Sequence, residues 1–387
     1  MRILIAADIF PPQPGGPATY SVVIANELTK AGDDVKVVSL NPDSDKKAVI
    51  CKIDVVKNRN KFLKYLEYTW LLVKNAKKFD VIYAMGPVNA GFPALIASKL
   101  TGKRLITKIV GDYAWEQGVQ RFGVVDSIDE FQKNQKYSMK IKILRFIEKT
   151  VAKNSNTVIV PSVYLKGLVM GWGLSGHCVT VVFNSSSYVD ICDVLKPEEE
   201  KWIISAGRLV PWKGMEALIE VMSNILKKFT NAKLKIFGSG PCIKKLRNKV
   251  VELKLESSVE IPGQLARKDL MCQINKADIF ILNSAYEGLS HLLLEALHVN
   301  TPVLASKAGG NAELVYPGKN GDLFELGNKK EIEEKILSML DGSQKLDWPQ
   351  EEKEEFFEKF SLNSMVKNTR QSLQNVCSSQ DGFKKIS

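Results

Sequence analysis

The chain has 387 residues, of which 45% are hydrophobic and 25% are charged, and its formal net charge is +11. This length favours two domains over one, and no apolar run approaches the roughly 18 residues that a membrane-spanning helix requires. The six cysteines stand singly, without a CxxC pair, and the three histidines lack metal-ligand spacing. The composition therefore predicts reduced thiols in a cytoplasmic protein and argues against a structural zinc site.

The positive charge is concentrated in the first half of the chain. Residues 1–190 contain 26 Lys and Arg against 16 Asp and Glu, whereas residues 191–387 contain 28 against 27. A basic half joined to a nearly neutral half predicts that the first half faces an anionic partner. Nucleic acid, a phospholipid surface and a phosphorylated acceptor all fit that description.

Short β-branched runs alternate with longer helical patterns throughout the first half. The predicted strands span residues 3–7, 35–39, 81–84, 105–110, 157–160 and 180–182, and the helices include 18–30, 61–78 and 140–153. Apolar strands separated by helices are typical of a parallel sheet that is covered on both faces.

The same alternation restarts in the second half, after the polar segment 184–201, which we interpret as an interdomain linker. The predicted strands there span 202–206, 234–237, 279–282 and 303–305, and the helices span 214–229, 242–253 and 289–298. The sequence therefore predicts an α/β protein of two doubly wound, Rossmann-like domains that face each other across a cleft. Ligands of such domains bind outside the carboxyl ends of the strands.

Glycine-rich loops follow several of these strands. The first strand leads into PPQPGGPATY, which contains Gly16, and second-half strands lead into loops that contain Gly238, Gly263 and the pair Gly309 and Gly310. Glycine lets the backbone approach a phosphate or a sugar closely, although a glycine pair before a helix is more often a plain turn. The dinucleotide fingerprint GxGxxG and the P-loop pattern GxxxxGK[ST] are both absent from their expected contexts.

The loop SAGRLVPWKG carries two cations, Arg208 and Lys213, between a strand and a helix. Cations in that position suit a diphosphate, whose charge must be neutralised as the bond to it breaks. Ordinary exposed surface charge is the alternative interpretation.

The stretch YEGLSHLLLEA places Glu287 and Glu295 at the two ends of an apolar run. One interpretation is a core-facing helix with solvated glutamates at its edges. In the other, residues 288–290 form the first turn of a helix whose N-terminus binds an anion. Glu287 would then lie beside the group attached to that anion, and Glu295 would reach a more distant group such as ribose hydroxyls. Eight helical residues rise about 12 Å, whereas the carboxyl pair of a glycosidase needs roughly 5–9.5 Å.

In this order, PPQPGGPATY, GRLVPWKG, FGSGP, EGLSHLLLEA and AGGNAELV resemble the motifs of glycosyltransferase family 4, and the resemblance covers nearly the whole chain. That family consists of retaining GT-B enzymes that use nucleotide-diphosphate sugars. The resemblance implies that Arg208 and Lys213 bind the donor diphosphate. It also implies that Glu287 contacts the transferred sugar and that Glu295 holds the ribose. The donor-binding candidates are Gly16, Gly238, Gly263, Gly288, Leu289, Ser290, His291, Leu292, Glu295 and Glu313.

The sequence departs from the family pattern near the reacting sugar. Many relatives carry a histidine where this chain has Val110, and Asp112 follows two residues later. Asp112 either replaces that histidine as a catalytic group or caps a loop, and both interpretations remain open at this point. Asn311 stands where proline is usual and leaves Glu313 in register, and Ser185 stands where the usual Asn-Gly pair would place glycine.

The resemblance implies transfer of a sugar, with retention and without a metal, from a UDP- or GDP-sugar to a glycan or lipid-linked glycan acceptor. We predict domains at 1–188 and 189–355, and a helical segment at 356–387 that crosses back to the first domain. A nucleotide-sugar epimerase of the same architecture is an alternative, although such enzymes generally need histidine and carboxylate acid–base groups. A non-catalytic nucleic-acid-binding protein is another, but the chain lacks aromatic residues interleaved with basic motifs.

Two helical stretches of the first half combine apolar residues with lysines. The apolar residues are Met139, Ile143, Phe146, Ile147 and Val151 in the first stretch, and Phe62, Leu66, Trp70 and Val73 in the second. Ordinary amphipathic helices packed on the sheet, with solvated lysines, are the alternative for either stretch alone. Because the basic half is also the half expected to bind the acceptor, we predict peripheral binding to an anionic membrane on its cytoplasmic face, and no binding to nucleic acid.

Overall fold

The computed structural model describes residues 1–13, 15–185 and 194–378, and the chain divides into two compact units. Unit 1 comprises Met1–Phe183 together with the chain from Asn363 onward, and unit 2 comprises Asn184–Leu362. The predicted boundary between residues 188 and 189 lies outside the described residues. The returning segment begins at Asn363 rather than at 356, because Phe356 packs against Tyr316 and Trp348 of unit 2.

Unit 1 is built on a parallel sheet of seven strands. The strands are β1 (Arg2–Ala7), β2 (Asp34–Ser39), β3 (Lys52–Val55), β4 (Val81–Met85), β5 (Arg104–Lys108), β6 (Thr157–Val160) and β7 (Val179–Val181). Their order in the sheet is β3-β2-β1-β4-β5-β6-β7. Nearly every side chain of the central strands β1 and β4 is buried, because helices cover both faces of a parallel sheet.

Seven α-helices follow these strands in the part of unit 1 that the structure describes before residue 186. They are α1 (Gly16–Lys30), α2 (Lys61–Ala76), α3 (Gly91–Thr101), α4 (Tyr113–Arg121), α5 (Ile128–Lys133), α6 (Met139–Asn154) and α7 (Val163–Met170). On one face of the sheet, α2, α3 and α6 contribute Leu72, Ala94 and Val151 to one apolar cluster with Leu4 and Ile82. These three helices therefore lie on the same side of unit 1.

Unit 2 repeats the plan with a parallel sheet of six strands. The strands are β8 (Lys201–Ala206), β9 (Ala232–Phe237), β10 (Val259–Gly263), β11 (Ile279–Leu282), β12 (Val303–Ser306) and β13 (Gly321–Phe324), and their order is β10-β9-β8-β11-β12-β13. The helices are α8 (Met215–Lys228), α9 (Ile243–Glu252), α10 (Arg267–Asn275), α11 (His291–His298), α12 (Lys329–Leu340) and α13 (Gln350–Lys359). A last helix, α14 (Leu362–Ser378), returns to unit 1, where Arg370 pairs with Asp33.

The outward faces of α2 and α6 carry large apolar side chains that water reaches. Phe62, Leu66 and Trp70 on α2, and Met139, Ile143 and Phe146 on α6, are each more than half exposed. The alternative of helices packed on the sheet therefore fails for these six residues but holds for Val73, Ile147 and Val151, which pack in the core cluster. Other side chains of the same helices, such as Tyr68 and Val151, fill the core instead.

The cysteines require one correction. Cys51, Cys178, Cys242 and Cys377 carry free thiols. Cys272 on α10 is bonded in a disulfide, so the prediction that all six thiols are reduced is wrong. Within the described ranges, none of the helices is both long enough and apolar enough to cross a bilayer.

Candidate active site

The strand order of unit 2 reverses between β8 and β11, which lie side by side in the sheet. At such a point, successive connections leave toward opposite faces of the sheet and open a crevice at the carboxyl ends of the strands. The loop after β8 carries Arg208 and Lys213, and the loop after β11 carries Glu287 and Gly288. The fold therefore gathers the catalytic candidates of unit 2 at one edge of one sheet.

Lys213 and Glu287 form an ion pair at this edge. The Lys213 ammonium contacts Oε1 of Glu287, and the hydroxyl of Ser284 donates a hydrogen bond to the same oxygen at 2.7 Å. The two charged side chains are only 14% and 15% exposed. Ser284 was not among the predicted residues, although it precedes Glu287 by three positions in the same loop.

A glycine turn holds the cation in this position. Gly214, directly after Lys213, has φ +60°, and a Cβ there would lie 2.3 Å from the carbonyl oxygen of Asn283. The side chain of Asn283 donates to the carbonyl of Gly214 at 2.9 Å. Because glycine alone adopts this conformation without a collision, the loop after β8 can press against the loop after β11.

Arg208 lies at the exposed side of the same loop. Its guanidinium carbon is 5.4 Å from the centre of the Trp212 ring. A guanidinium over an indole face is attracted by the ring quadrupole, so Trp212 orients Arg208. Sequence reasoning missed Trp212, whose only signal was its place between Arg208 and Lys213.

Gly238 and Gly263 lie where neighbouring loops touch one another. A Cβ on Gly238 would lie 1.8 Å from the carbonyl oxygen of Gly207, and the Gly238 N–H donates to the carbonyl of Gly263 at 2.8 Å. Backbone hydrogen bonds thus join the loops after β8, β9 and β10 in a row. The absence of a side chain at Gly238 thus lets the backbones of neighbouring loops touch. Donor binding by Gly238 and Gly263 stays a prediction.

The helix after β11 begins later than predicted. Residues 288–290 do not form its first turn: Gly288 and Leu289 are buried in the preceding loop, and Ser290 is the N-cap, whose Oγ accepts from the N–H of Leu293 at 3.3 Å. His291 and Leu292, both half-buried, form the start of α11. Since Glu287 lies outside the helix, the separation of about 12 Å expected from helical rise between the glutamates does not apply.

Glu295 faces α10 rather than open solvent. Its Oε1 lies 2.6 Å from the guanidinium of Arg267, at the start of α10, and its side chain is 11% exposed. Burial raises the pKa of Glu295, and the neighbouring Arg267 opposes that shift. Arg267 is a second residue that sequence reasoning missed, because it precedes Glu295 by 28 positions in the chain.

A short 3-10 helix, Gly309–Glu313, supports the backbone of Glu287. The N–H of Gly310 donates to the carbonyl of Glu287 at 2.8 Å, and a Cβ on Gly309 would lie 2.1 Å from that oxygen. Asn311 is buried, and its side-chain amide donates to the carbonyl of Ser306 at 3.2 Å. Glu313 is half-buried at the end of this helix.

Two of the predicted site residues belong to unit 1. Gly16 is the first residue of α1 and follows Gly15, which has φ +138°. Asp112 is the N-cap of α4: its Oδ1 accepts from the N–H of Trp115 at 2.7 Å, and its Oδ2 accepts from the side-chain amide of Gln132 at 2.7 Å. Of the two interpretations of Asp112, this geometry matches the cap, and a catalytic role stays a prediction without structural support.

A second carboxyl group lies beside Asp112. Glu148 of α6 is fully buried and accepts from the N–H of Ala114 at 3.2 Å. Burial raises the pKa of both groups, and the neighbouring Asp112 raises the pKa of Glu148 further. Burial and the neighbouring carboxyl therefore both disfavour ionisation of Glu148.

Unit 1 has its own reversal of strand order, between β1 and β4, and polar side chains meet there. Asp8 follows β1 and accepts a hydrogen bond from the side chain of Asn89, which follows β4. Asn89 also accepts from the Tyr65 hydroxyl at 2.9 Å and donates to the Tyr113 hydroxyl at 3.0 Å. Burial raises the pKa of Asp8 to about 6. Sequence reasoning missed this group, which we call the Asp8 cluster (Asp8, Tyr65, Asn89 and Tyr113).

Among the residues that the structure describes, no group of three or more His, Cys, Asp or Glu side chains is arranged to hold a metal ion. The metal-free reaction stays a prediction.

Two family models match the chain. The model described as Glycosyltransferase Family 4 matches residues 14–185, and the model described as Glycosyl transferases group 1 matches residues 190–356. The chain is 28% identical to the uncharacterized glycosyltransferase MJ1178 of Methanocaldococcus jannaschii, over 58% of this chain and 61% of that protein. It is 30% identical to the putative colanic acid biosynthesis glycosyltransferase WcaL of Escherichia coli, over 36% of this chain and 36% of that protein. The matches thus span less than two thirds of either relative.

The crystal structure of Anabaena Alr3699/HepE in complex with UDP-glucose aligns with a TM-score of 0.74, over 97% of this chain and 100% of that one, at 20% identity. The fold is accordingly GT-B, built from two Rossmann-like domains, as predicted. The chain belongs to glycosyltransferase family 4, which confirms the resemblance of its motifs. Neither the epimerase nor the nucleic-acid-binding alternative gains support from these matches.

Proposed function

We propose that the protein transfers a sugar from a UDP-sugar to a hydroxyl group of a glycan or lipid-linked glycan, with retention of the anomeric configuration and without a metal. The observation that carries the proposal is the shielded pair of Lys213 and Glu287 at the strand-order reversal of unit 2. The UDP-glucose held by the structural neighbour HepE supports UDP over GDP as the nucleotide.

Lys213 and Glu287 have different roles in this reaction: the lysine faces the diphosphate and the glutamate faces the sugar. An ammonium has three donors, so Lys213 can hold Glu287 and still face the diphosphate, and Arg208 can reach it from the exposed side of the loop. As the bond between the anomeric carbon and the β-phosphate oxygen breaks, negative charge grows on the diphosphate, and preorganised cations stabilise that charge. Glu287, with its backbone held by Gly310 and its side chain by Ser284, faces the sugar.

The leaving diphosphate also completes the proton transfer. The acceptor oxygen attacks the anomeric carbon from the face that the diphosphate leaves, and the acceptor proton passes to the departing phosphate oxygen. No separate strong base is required for this step. On the acceptor side we assign the Asp8 cluster to acceptor hydroxyls, because ligands bind at such reversals and a carboxylate beside an amide offers both acceptors and donors.

We further propose that unit 1 binds the cytoplasmic face of an anionic membrane. The exposed apolar residues of α2 and α6 lie on the same side of the unit, among lysines such as Lys74, whose ammonium is 4.8 Å from the centre of the Trp70 ring. Apolar side chains that enter the headgroup region and cations that meet anionic lipids are the two terms of peripheral membrane binding.

Transfer can be tested with a panel of UDP- and GDP-sugars and a lipid extract, with products followed by mass spectrometry and their anomeric configuration read by NMR. We expect a UDP-sugar to be consumed with retention, and EDTA to leave the rate unchanged. Lys213→Ala should reduce the rate by about a hundredfold, with Lys227→Ala, an exposed lysine on α8, as the matched control. Loss of activity with EDTA and its recovery with Mn²⁺ or Mg²⁺ would contradict the metal-free reaction.

A further inference from the structure

A cleft of about 540 Å³ opens in unit 1 beside the exposed face of α6. Its lining includes Asp129, Gln132 and Lys133 from α5, Lys149 from α6, and Tyr164 and Gly167 from α7. Gly167 widens it: a Cβ built there meets no atom within 4 Å. None of these residues belongs to the candidate active site or to the Asp8 cluster.

The charges around the cleft favour an anion. Lys149 is half-buried, and its pKa is lowered first by burial and then by the nearby positive charges of Arg145 and Lys153, while Glu148 and Asp112 act in the opposite direction. The lining itself carries two ammonium groups, those of Lys133 and Lys149, against one carboxylate. That carboxylate belongs to Asp129, whose Oδ1 accepts a hydrogen bond from the Tyr164 hydroxyl at 3.5 Å.

The cleft is continuous with the exposed apolar face. Lys149 follows Phe146 by three positions on α6, which places the two side chains next to each other on the helix surface. Phe146 is 70% exposed. A group held by Lys149 would therefore lie directly beside the face that we assign to the membrane.

We propose that this cleft is a second binding site, which takes a phosphate group through Lys133 and Lys149. The two ammonium groups are donors, and charge-assisted hydrogen bonds to phosphate oxygens are strong. The phosphate can belong to a lipid headgroup or to a soluble compound. The lipid source rests on the proposed membrane association, whereas the site itself depends neither on that association nor on the transferase activity.

The lipid source is tested by co-sedimentation with phosphatidylcholine vesicles that contain phosphatidic acid or phosphatidylglycerol. We expect the wild-type protein to prefer phosphatidic acid, whose phosphate is a terminal monoester. Lys142→Gln, which removes a charge from the exposed face of α6, should weaken binding by about fivefold. Lys149→Gln should weaken it by about tenfold more, because it also removes hydrogen bonds to the phosphate.

A second variant blocks the cleft without a change in charge. Gly167→Leu fills the open space beside α7, and leucine is a better helix former than glycine, so the fold should persist; circular dichroism checks this for each variant. We expect Gly167→Leu to abolish the preference for phosphatidic acid.

Calorimetric titration with inorganic phosphate tests the soluble source. Binding to the wild-type protein that disappears in Lys149→Gln and Gly167→Leu supports the site even if vesicles do not bind, in which case the membrane proposal alone fails. Three results together would reject the site. Inorganic phosphate does not bind, Lys149→Gln sediments with vesicles no differently from Lys142→Gln, and Gly167→Leu sediments no differently from the wild-type protein.

Discussion

Two ion pairs border the candidate active site, and they differ in how far water reaches their cations. Lys213 is 14% exposed beside Glu287, whereas Arg267 is 42% exposed beside Glu295. Removal of one partner from a shielded pair leaves an uncompensated charge, and this costs more than the same change at an exposed pair. Substitutions at Lys213 or Glu287 should therefore lower both the stability of the fold and the rate of sugar transfer. Arg208 is exposed beside Trp212, so its substitution should lower the transfer rate alone.

Arg208→Ala and Glu295→Ala should have different kinetic effects. We expect Arg208→Ala to lower kcat by about a hundredfold, because charge on the diphosphate grows in the transition state. Glu295→Ala should weaken donor binding by about tenfold, the effect of one lost hydrogen bond to a charged group. Donor titration and initial rates on both variants measure this. Full activity in Arg208→Ala would show that the diphosphate is bound elsewhere.

Asp8 should make stability depend on pH. Its pKa is about 6 in the folded protein against an ordinary value of 3.8, so the folded state resists ionisation of this carboxyl. At about pH 4 the group costs little, and as the pH rises through 6 the folded protein loses up to about 3 kcal/mol, less to the extent that water reaches the side chain. Tyr65, Tyr68 and Tyr113 surround it and stay neutral over this range.

Asp8→Asn removes that cost. Thermal unfolding should show a higher Tm for the variant well above pH 6 and no difference at about pH 4. If the Asp8 cluster binds the acceptor, the same variant should transfer more slowly while its donor affinity is unchanged. Equal Tm values at all pH values would mean that Asp8 ionises in the folded protein as it does in water.

At the scale of elements, α4 depends on its N-cap. Asparagine caps helices as well as aspartate, so Asp112→Asn should fold and keep its transfer rate within about threefold. Asp112→Ala loses the cap and the partner of Gln132, and should lower the free energy of unfolding by about 1–2 kcal/mol, as denaturant titration measures. A hundredfold loss of kcat in a fully folded Asp112→Asn would instead establish the catalytic role.

The interior strands could be predicted from sequence, whereas three edge strands could not. β3, β10 and β13 lie at the ends of the two sheets, and none was predicted. An interior strand is apolar on both faces, but β3 has no fully buried side chain, β10 contains Pro262, and β13 begins with Gly321. Edge positions tolerate such residues, so these segments lack the pattern that identifies a strand.

Helical periodicity likewise located α2 and α6 but not their inward faces. Both helices have apolar residues on two sides, and only the sheet decides that Tyr68 is buried and Trp70 is not.

The candidate active site likewise could be predicted only in part from the sequence. Motif spacing indicated Lys213 and Glu287, but their direct contact joins positions 74 residues apart, which depends on the tertiary fold.

At the scale of the whole molecule, the +11 charge and the exposed apolar side chains should act together on membranes. Phe146→Ser should weaken binding to anionic vesicles by about tenfold, the effect of roughly 1.5 kcal/mol of lost apolar burial. Val251→Ser, at a residue of unit 2 that is 60% exposed, is the matched control and should change nothing. High salt should weaken the electrostatic part of binding. Equal, negligible binding to neutral and anionic vesicles would favour a soluble acceptor.

The glycines at which the loops of unit 2 touch should limit which substitutions the protein tolerates. At Gly214, Gly238 and Gly309 a side chain would collide with backbone atoms of a neighbouring loop, so these positions should tolerate no replacement, whether or not the donor contacts them. Scoring cellular abundance beside activity would separate the two kinds of position. Replacements at these glycines should deplete the folded protein, whereas replacements at Arg208 should leave its abundance intact and abolish only turnover.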